Sequence, residues 1–418
     1  MASIDKASVT KAVEKIHPSH LARTDKDDIA RGLQQLVDHS LPAKGHGDIT
    51  QGILGPAESL APWLGKLIPE LEELAKKYHI GNFVVIRATN QRFFEKMPIY
   101  VRLGMHLLFY GPEQVKLLEG CKSIQDLLKE VSLRQGEIYD SPESVRNIPS
   151  FIETYNLQLD ELLEPDIDKY QNFNQFFYRR LRPGVRPVQN ADNPKGFCSA
   201  ADCRLVVYQT IDLAEKFWIK GNEFSIPTLL DLAPSDPLCR ALSGGSLAIF
   251  RLAPQDYHRF HSPVDGTLLG EPRDIVGQYY TVNPQAVNEP KFDVLTRNKR
   301  SVLLVEHEFS KKPIAIVAVG ALMVGSIIWT SMKQVRRGDE LGYFAYGGST
   351  IIAVFPPGVI RFDGDLVRNS MGVGRGGGKG SIETLMKVGY SLGVVPDKRQ
   401  SFHFISQNWL QRWRALLG

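Results

Sequence analysis

From about residue 197 the chain breaks into short β-rich runs, and no other feature of the sequence narrows the fold as far. The runs cover 203–211, 247–252, 266–270, 301–309, 313–319, 322–329 and 349–355, with glycine and proline turns between them. Parallel neighbours need a crossover of a dozen or more residues, usually a helix, and no regular helical segment separates these runs. The expected fold class is therefore α+β, with a helical N-terminal region packed on a largely antiparallel β-rich domain. At 418 residues the chain has room for one large domain and a helical extension.

The extension lies upstream. Thr24 and Asp27 can cap a helix carrying Ile29, Leu33, Leu36 and Val37 on one face, and Leu64, Ile68, Leu71 and Leu74 repeat at helical spacing. Residues 123–133 form another amphipathic pattern, and Asn172 caps a helix over 173–181 that Arg182-Pro183-Gly184 ends. The segment 93–110 is the most apolar of the N-terminal half. With Arg92, Lys96 and Arg102 it reads equally as an interfacial helix or as a helix packed on the β-rich domain. Residues 402–417 set Trp409, Leu410, Trp413, Leu416 and Leu417 at helical spacing beside Arg412 and Arg414, which suits docking on the protein or on a membrane. The expected domains are a helical region over 1–170, the β-rich domain over 171–395 and an amphipathic tail over 396–418.

A formal net charge of +4 is too small to argue for nucleic acid, although clustered charge would suit an anionic membrane surface. Cys121, Cys198, Cys203 and Cys239 have neither zinc-site spacing nor the density of a secreted disulfide scaffold, so a reducing compartment is expected. The first residues lack the apolar core of a signal peptide. No apolar run approaches the roughly 18–20 residues of a spanning helix. The expected location is cytoplasmic or peripheral on endomembranes.

Two segments carry candidate chemistry. In Tyr346-Gly347-Gly348-Ser349-Thr350 a hydroxyl follows two glycines between strand-like runs, where it can attack the preceding carbonyl if a base is near. The plainer reading is a bulge or tight turn. In Asp256-Tyr257-His258-Arg259-Phe260-His261-Ser262-Pro263, two imidazoles three residues apart on a non-helical segment can serve different functions in one cleft. No cysteine or regularly spaced carboxylate completes a metal set around them, so no metal is expected. The glycine-rich stretch 372–381 departs from a phosphate loop at Val373 and Gly380 and reads as an insertion.

These two segments, with 320–327 and 338–344, resemble phosphatidylserine decarboxylase, particularly its eukaryotic extra-mitochondrial branch, over roughly residues 90–395 and in the same order. The resemblance implies that the β-rich domain is catalytic and that the Gly348–Ser349 bond cleaves itself. Ser349 would become a covalent pyruvoyl cofactor, and fragments 1–348 and 349–418 would stay associated. It also implies that Asp202, in Cys198-Ser199-Ala200-Ala201-Asp202-Cys203, orients His261 as the base for cleavage. His258 is then the candidate acid that reprotonates the substrate carbon. The family more often has proline at the position of Ala200 and glycine or serine at that of Cys203. Asp265 reads as a turn residue. The implied reaction converts phosphatidylserine in anionic membranes to phosphatidylethanolamine through a Schiff base, in a monomer or a homodimer.

Two rival readings remain. One keeps the pyruvoyl chemistry with a free amino acid such as tryptophan as substrate. The other is a carrier module, because residues 335–342 resemble the turn of lipoyl and biotinyl domains and Met332-Lys333 their modified lysine.

Overall fold

The computed structural model describes residues 81–96, 122–217, 219, 224–282, 287, 293–321, 326–330, 333–347, 349–372 and 381–397. The helices expected before residue 80, residues 97–110, Gly348, the stretch 373–380 and the tail 402–417 lie outside these residues.

In chain order, β1 (Gly81–Ile86) and β2 (Gln91–Lys96) precede α1 (Lys122–Asp140), α2 (Asn147–Tyr155) and α3 (Phe173–Phe177). Strands β3 (Gly196–Cys198) and β4 (Cys203–Tyr208) lead into α4 (Ile211–Phe217), α5 (Ile226–Leu230) and α6 (Pro237–Leu242). Next come β5 (Ser246–Leu252), β6 (Arg259–His261), β7 (Gly266–Leu268), β8 (Arg273–Ile275) and α7 (Val294–Arg297). Then follow β9 (Arg300–His307), β10 (Pro313–Val319), β11 (Ser326–Trp329), β12 (Gln334–Val335), β13 (Glu340–Ala345) and β14 (Ser349–Phe355). The last described elements are β15 (Arg361–Phe362), α8 (Gly364–Ser370), β16 (Glu383–Met386) and β17 (Ser391–Val394).

The main sheet runs β12-β7-β9-β10-β14-β5-β4-β16-β1-β2, with β8 also on β9, and every pair is antiparallel except β1 with β16. The α+β expectation holds. Its central strand β14, Ser-Thr-Ile-Ile-Ala-Val-Phe, is buried along its whole length. Such a continuous apolar run marks a strand covered on both faces. On the sheet, α8 packs against β4 and β16, α4 against β4 and β5, and α6 against β10. Two small sheets, β11-β13-β6 and β15-β17-β3, complete the β layer. Phe260 meets Trp329 at 5.2 Å and Phe344 at 5.1 Å, and the Trp329 indole N–H donates to Ser301 of β9 at 2.9 Å.

The structure departs from the expected helical N-terminal region at residues 91–96, which are strand. Asn90 adopts φ 54, and its N–H donates to the Ile86 carbonyl at 2.8 Å. Asparagine tolerates this left-handed turn, so 91–96 fold back on 81–86 and the hairpin extends the main sheet. Helix α1 runs on past 133 to Asp140, where Ser141-Pro142 stops it. Helix α3, capped by Asn172 as expected, ends at Phe177 rather than 181. Beyond it Arg179 turns inward and donates to the carbonyls of Gln255 and Asp256 at 3.0 and 3.2 Å.

The helices α1 to α3 close over one end of β14. Tyr139 packs on Phe173 and on Tyr346, each at 4.4 Å, and Phe151 on Phe173 at 5.2 Å. Phe177 lies 3.9 Å from His258, ring centre to ring centre.

Candidate active site

Strand pairing brings the two candidate segments together. Ser349 of β14 stands opposite Leu252 of β5, while Arg259 and Phe260 of β6 stand opposite Tyr343 and Gly342 of β13. The link from β5 to β6 carries His258, and the link that follows β13 carries Tyr346 and Gly347. Because both strand pairs are zipped, the two links lie side by side, and the Phe344 N–H donates to the His258 carbonyl at 3.0 Å. Tyr346 and Gly347 bend the second link through left-handed conformations, φ 69 and 104. For tyrosine that conformation costs on the order of 1–3 kcal/mol.

Ser349 is fully buried, and among the described residues its hydroxyl has no hydrogen-bond partner. His258 is fully buried too, and its Nδ1 lies 2.9 Å from the Asp256 carbonyl. A carbonyl only accepts, so Nδ1 carries the proton and Nε2 is left with a free lone pair. Among the described residues Nε2 meets no partner at full hydrogen-bond geometry, and the Gly347 carbonyl lies near enough to act on the ring. Burial pushes the His258 pKa down to about 3, with the neighbouring Arg179 adding to the shift; the carbonyls of Asp256 and Gly347 oppose it. The ring is therefore neutral near pH 7, with an open basic nitrogen.

His261 is engaged at both nitrogens. Nδ1 donates to the Gly338 carbonyl at 2.7 Å, and Nε2 accepts from the Tyr257 hydroxyl at 3.2 Å. Burial lowers its pKa, against the Gly338 carbonyl and the carboxylates of Glu340 and Asp202. Asp202 thus lies close enough to act on His261 through its charge, but its hydrogen bonds go elsewhere. Arg186 holds it in a two-pronged ion pair with contacts of 2.7–3.1 Å, and the Val388 N–H donates to it at 2.8 Å. Arg186 also pairs with Glu161 at 2.7 Å. The direct Asp202–His261 bond implied by the resemblance is not among the described contacts.

The turn likened to a carrier domain is built into this site. Arg337 is buried and bonds Asp265 at 2.9 Å and the Ala191 carbonyl at 2.9 Å, and the next residue supplies the carbonyl that holds His261. Asp265 is therefore half of an ion pair as well as a turn residue. Sequence reasoning gave no role to Tyr257, Arg179, Arg186 or Arg337. Nothing in the sequence set them apart, because each lies among other charged or polar residues. Among the described residues, no group of three His, Cys, Asp or Glu side chains is arranged to hold a metal ion.

The sequence profile of the phosphatidylserine decarboxylase family matches residues 173–377, which include all of these groups except Glu161 and Val388. A phosphatidylserine decarboxylase proenzyme of Fusobacterium nucleatum is 36% identical over 260 residues, 62% of this chain and 81% of that protein. The chain belongs to the phosphatidylserine decarboxylase family. Phosphatidylserine decarboxylase proenzyme 2 of Komagataella phaffii is 44% identical over 75% of this chain, and proenzyme 3 of Schizosaccharomyces pombe is 46% identical over 75%. The chain spans about a third of the length of these two fungal relatives, 30% and 31%. Among the described residues, no helix is long and apolar enough to cross a membrane.

Proposed function

We propose that the chain is a phosphatidylserine decarboxylase that matures by breaking its own Gly348–Ser349 bond. The observation that carries this reading is the buried Ser349 hydroxyl at the start of β14, unpartnered among the described residues and directly after the link whose Gly347 carbonyl acts on the His258 ring. In the uncut chain His258 Nε2 takes the proton from Ser349 Oγ as that oxygen attacks the Gly348 carbonyl. The left-handed bend at Tyr346 and Gly347 strains the link. The resulting ester opens by β-elimination, which leaves residue 348 with a carboxylate and position 349 as dehydroalanine. Water then adds and ammonia leaves, giving pyruvoyl.

A pyruvoyl group fits this position, because a small ketone and methyl can occupy the fully buried space of Ser349. When formed, it supplies the electron sink that decarboxylation needs. The chain's own residues then hold the reacting atoms away from water under Phe177, where the neutral His258 Nε2 can take a proton from the incoming ammonium group of the substrate and return it to the substrate carbon. His261 acts through Tyr257, and Asp202 through its charge, so both are positioning groups. The resemblance implies His261 as the base for cleavage; the reading proposed here gives that role to His258, whose Nε2, unlike that of His261, has no hydroxyl partner among the described residues. After cleavage β14 remains bonded to β5 and β10, which keeps the two fragments together.

The test uses purified protein. Mass spectrometry should find a fragment beginning with pyruvoyl at position 349, and Ser349→Ala should stay one polypeptide without activity. His258→Ala should block cleavage, whereas His261→Ala should slow it. Blocked cleavage in His261→Ala with normal cleavage in His258→Ala restores the division of roles that the resemblance implied. The processed enzyme should release carbon dioxide from phosphatidylserine vesicles and not from free tryptophan. The opposite result makes it an amino-acid decarboxylase.

A further inference from the structure

Arg179, just past α3, is a buried cation that touches no carboxylate. It is 6% exposed, and its guanidinium donates to backbone carbonyls, those of Phe177 at 3.3 Å, Gln255 at 3.0 Å and Asp256 at 3.2 Å. Every nitrogen of a guanidinium is a donor, in a fixed fork. Among the described residues, Nε–H and one Nη1–H of Arg179 therefore stay uncommitted.

The arginines around it are held differently. Arg186 touches Asp202 and Glu161, Arg204 touches Asp256 and Glu95, Arg251 touches Glu383 and Glu95, and Arg259 touches Glu340. In Arg186, Arg204 and Arg251 burial pulls the pKa down, but the carboxylates in contact raise it above the ordinary value. Burial pushes Arg179 down to about 10, because Tyr170, Asp256, Asp202 and Tyr257 oppose it only through their charge. Arg300 also touches no carboxylate, but its Nε and both Nη atoms are taken up by carbonyls of α5 and α7. Arginine is rarely buried without a counterion, so the free edge of Arg179 calls for an anion.

Self-cleavage supplies one. The ester joins the Gly348 acyl carbon to Ser349 Oγ. Elimination takes the proton from Ser349 Cα to the base, forms the Cα–Cβ double bond and breaks the Cβ–Oγ bond, whose electron pair leaves with the residue 348 carboxylate. A neutral peptide thus becomes an anion inside the core, where an uncompensated charge is strongly destabilising. The new end lies one residue beyond Gly347, whose carbonyl acts on the His258 ring. His258 Nδ1 and Arg179 Nη2 in turn share the Asp256 carbonyl. Phe177, two residues before Arg179, packs on His258 at 3.9 Å and on Tyr346 at 6.0 Å. The end of α3 therefore flanks the link from which the carboxylate is released.

We propose that Arg179 receives the carboxylate set free at residue 348, stabilising it as it leaves and holding the end of the first fragment afterwards. This rests on cleavage between 348 and 349, and not on which imidazole serves as its base. The substrate's own carboxylate is the rival occupant, and the experiment separates the two.

The first readout is pulse-chase after cell-free synthesis, with half of each time point treated with hydroxylamine at neutral pH. Hydroxylamine opens an ester and leaves serine at position 349, whereas elimination leaves pyruvoyl, so the two steps are counted separately. Arg179→Gln should form the pyruvoyl fragment on the order of a hundredfold more slowly, the effect of removing a donor from a developing anion, while hydroxylamine-sensitive chain accumulates. Arg179→Lys, which keeps the charge and loses the fork, should fall between. The second readout is the urea midpoint at equal protein concentration. Arg179→Lys should lower the midpoint of the processed enzyme more than that of the uncut Ser349→Ala chain, because only the processed form holds the carboxylate. Elimination at the wild-type rate with equal losses in the two forms overturns the proposal; a raised KM on phosphatidylserine vesicles in that case gives Arg179 to the substrate. Should Arg179→Gln fail to fold in the Ser349→Ala background, Arg179→Lys decides by the same two readouts. A wild-type chain that yields no fragment starting at 349 fails the reading of Ser349, and this proposal with it.

Discussion

Removing the proposed nucleophile should stabilise the uncut chain. Ser349 is fully buried and its hydroxyl is unpartnered among the described residues, so folding strips it of water without returning a hydrogen bond there. Leaving a buried polar group unsatisfied costs about 1–3 kcal/mol, and alanine removes that cost while vacating little volume. For a chain of this size the gain corresponds to a rise in Tm of about 1–3 °C. Wild type is not the proper reference, because it cuts itself. The comparison is between His258→Leu, which keeps the hydroxyl and loses the base, and the double variant His258→Leu/Ser349→Ala, both uncut. Urea denaturation of the two gives the difference directly. A double variant less stable by 1 kcal/mol or more would mean that the hydroxyl already has a good partner, and the argument from its isolation would fail. Cleavage of His258→Leu at the wild-type rate would refute the assignment of the base.

The pH dependence of the uncut chain follows from the same ring. His258 titrates at about 3 when folded against 6.5 as a free side chain, so its contribution is complete above pH 6.5 and is lost as pH falls toward 3, at about 1.4 kcal/mol per unit. Asp256, raised to about 6, acts in the opposite sense, because the folded state takes up its proton first as pH falls from 6 toward 3.8. The two effects offset each other in Ser349→Ala, whereas His258→Leu/Ser349→Ala keeps only the second. The stability gap between these variants should therefore widen in favour of the leucine form below pH 6.5; a constant gap contradicts the buried neutral imidazole. A separate prediction concerns Gly342, where an added Cβ would run into the Ile328 carbonyl and come within 2.7 Å of the Phe260 ring. Gly342→Ala should cost about 1–3 kcal/mol and slow cleavage by shifting β13 against β6, and unchanged urea stability in the Ser349→Ala background would refute that.

Much of the β layer was legible in advance because its central strands are covered on both faces. The runs 313–319 and 349–355 coincide with β10 and β14, and 247–252 differs from β5 by one residue. A strand covered on both faces must be apolar throughout, and that signal needs no knowledge of its neighbours. The hairpin of β1 and β2 gave no such signal. Phe93 and Phe94 are adjacent rather than alternating, and charged residues flank them, so the segment suits a helix as well as a strand. The deciding residue is Asn90, whose left-handed turn reverses the chain, and an asparagine in a polar tripeptide is easily read as a loop. The early end of α3 was hidden for another reason. Just past its end Arg179 bonds carbonyls more than seventy residues later, a contact that local sequence does not announce.

The site divides along a similar line. The residues that carry its chemistry were visible as types, because a serine after two glycines and a pair of histidines are unusual in apolar surroundings. Their individual roles were not visible. His258 and His261 are the same side chain three residues apart, and they differ through what faces Nδ1 and Nε2. Each Nδ1 donates to a backbone carbonyl, that of Asp256 or of Gly338, and any residue type could supply that oxygen. Only the Tyr257 hydroxyl on His261 then separates a ring with a closed Nε2 from one whose Nε2 is open. The Asp256 carboxylate pairs in turn with Arg204, which also bonds Glu95, a residue 109 positions earlier than Arg204. Spacing along the chain can therefore nominate two imidazoles, but the choice between them rests on backbone acceptors and on charges brought in by distant strands.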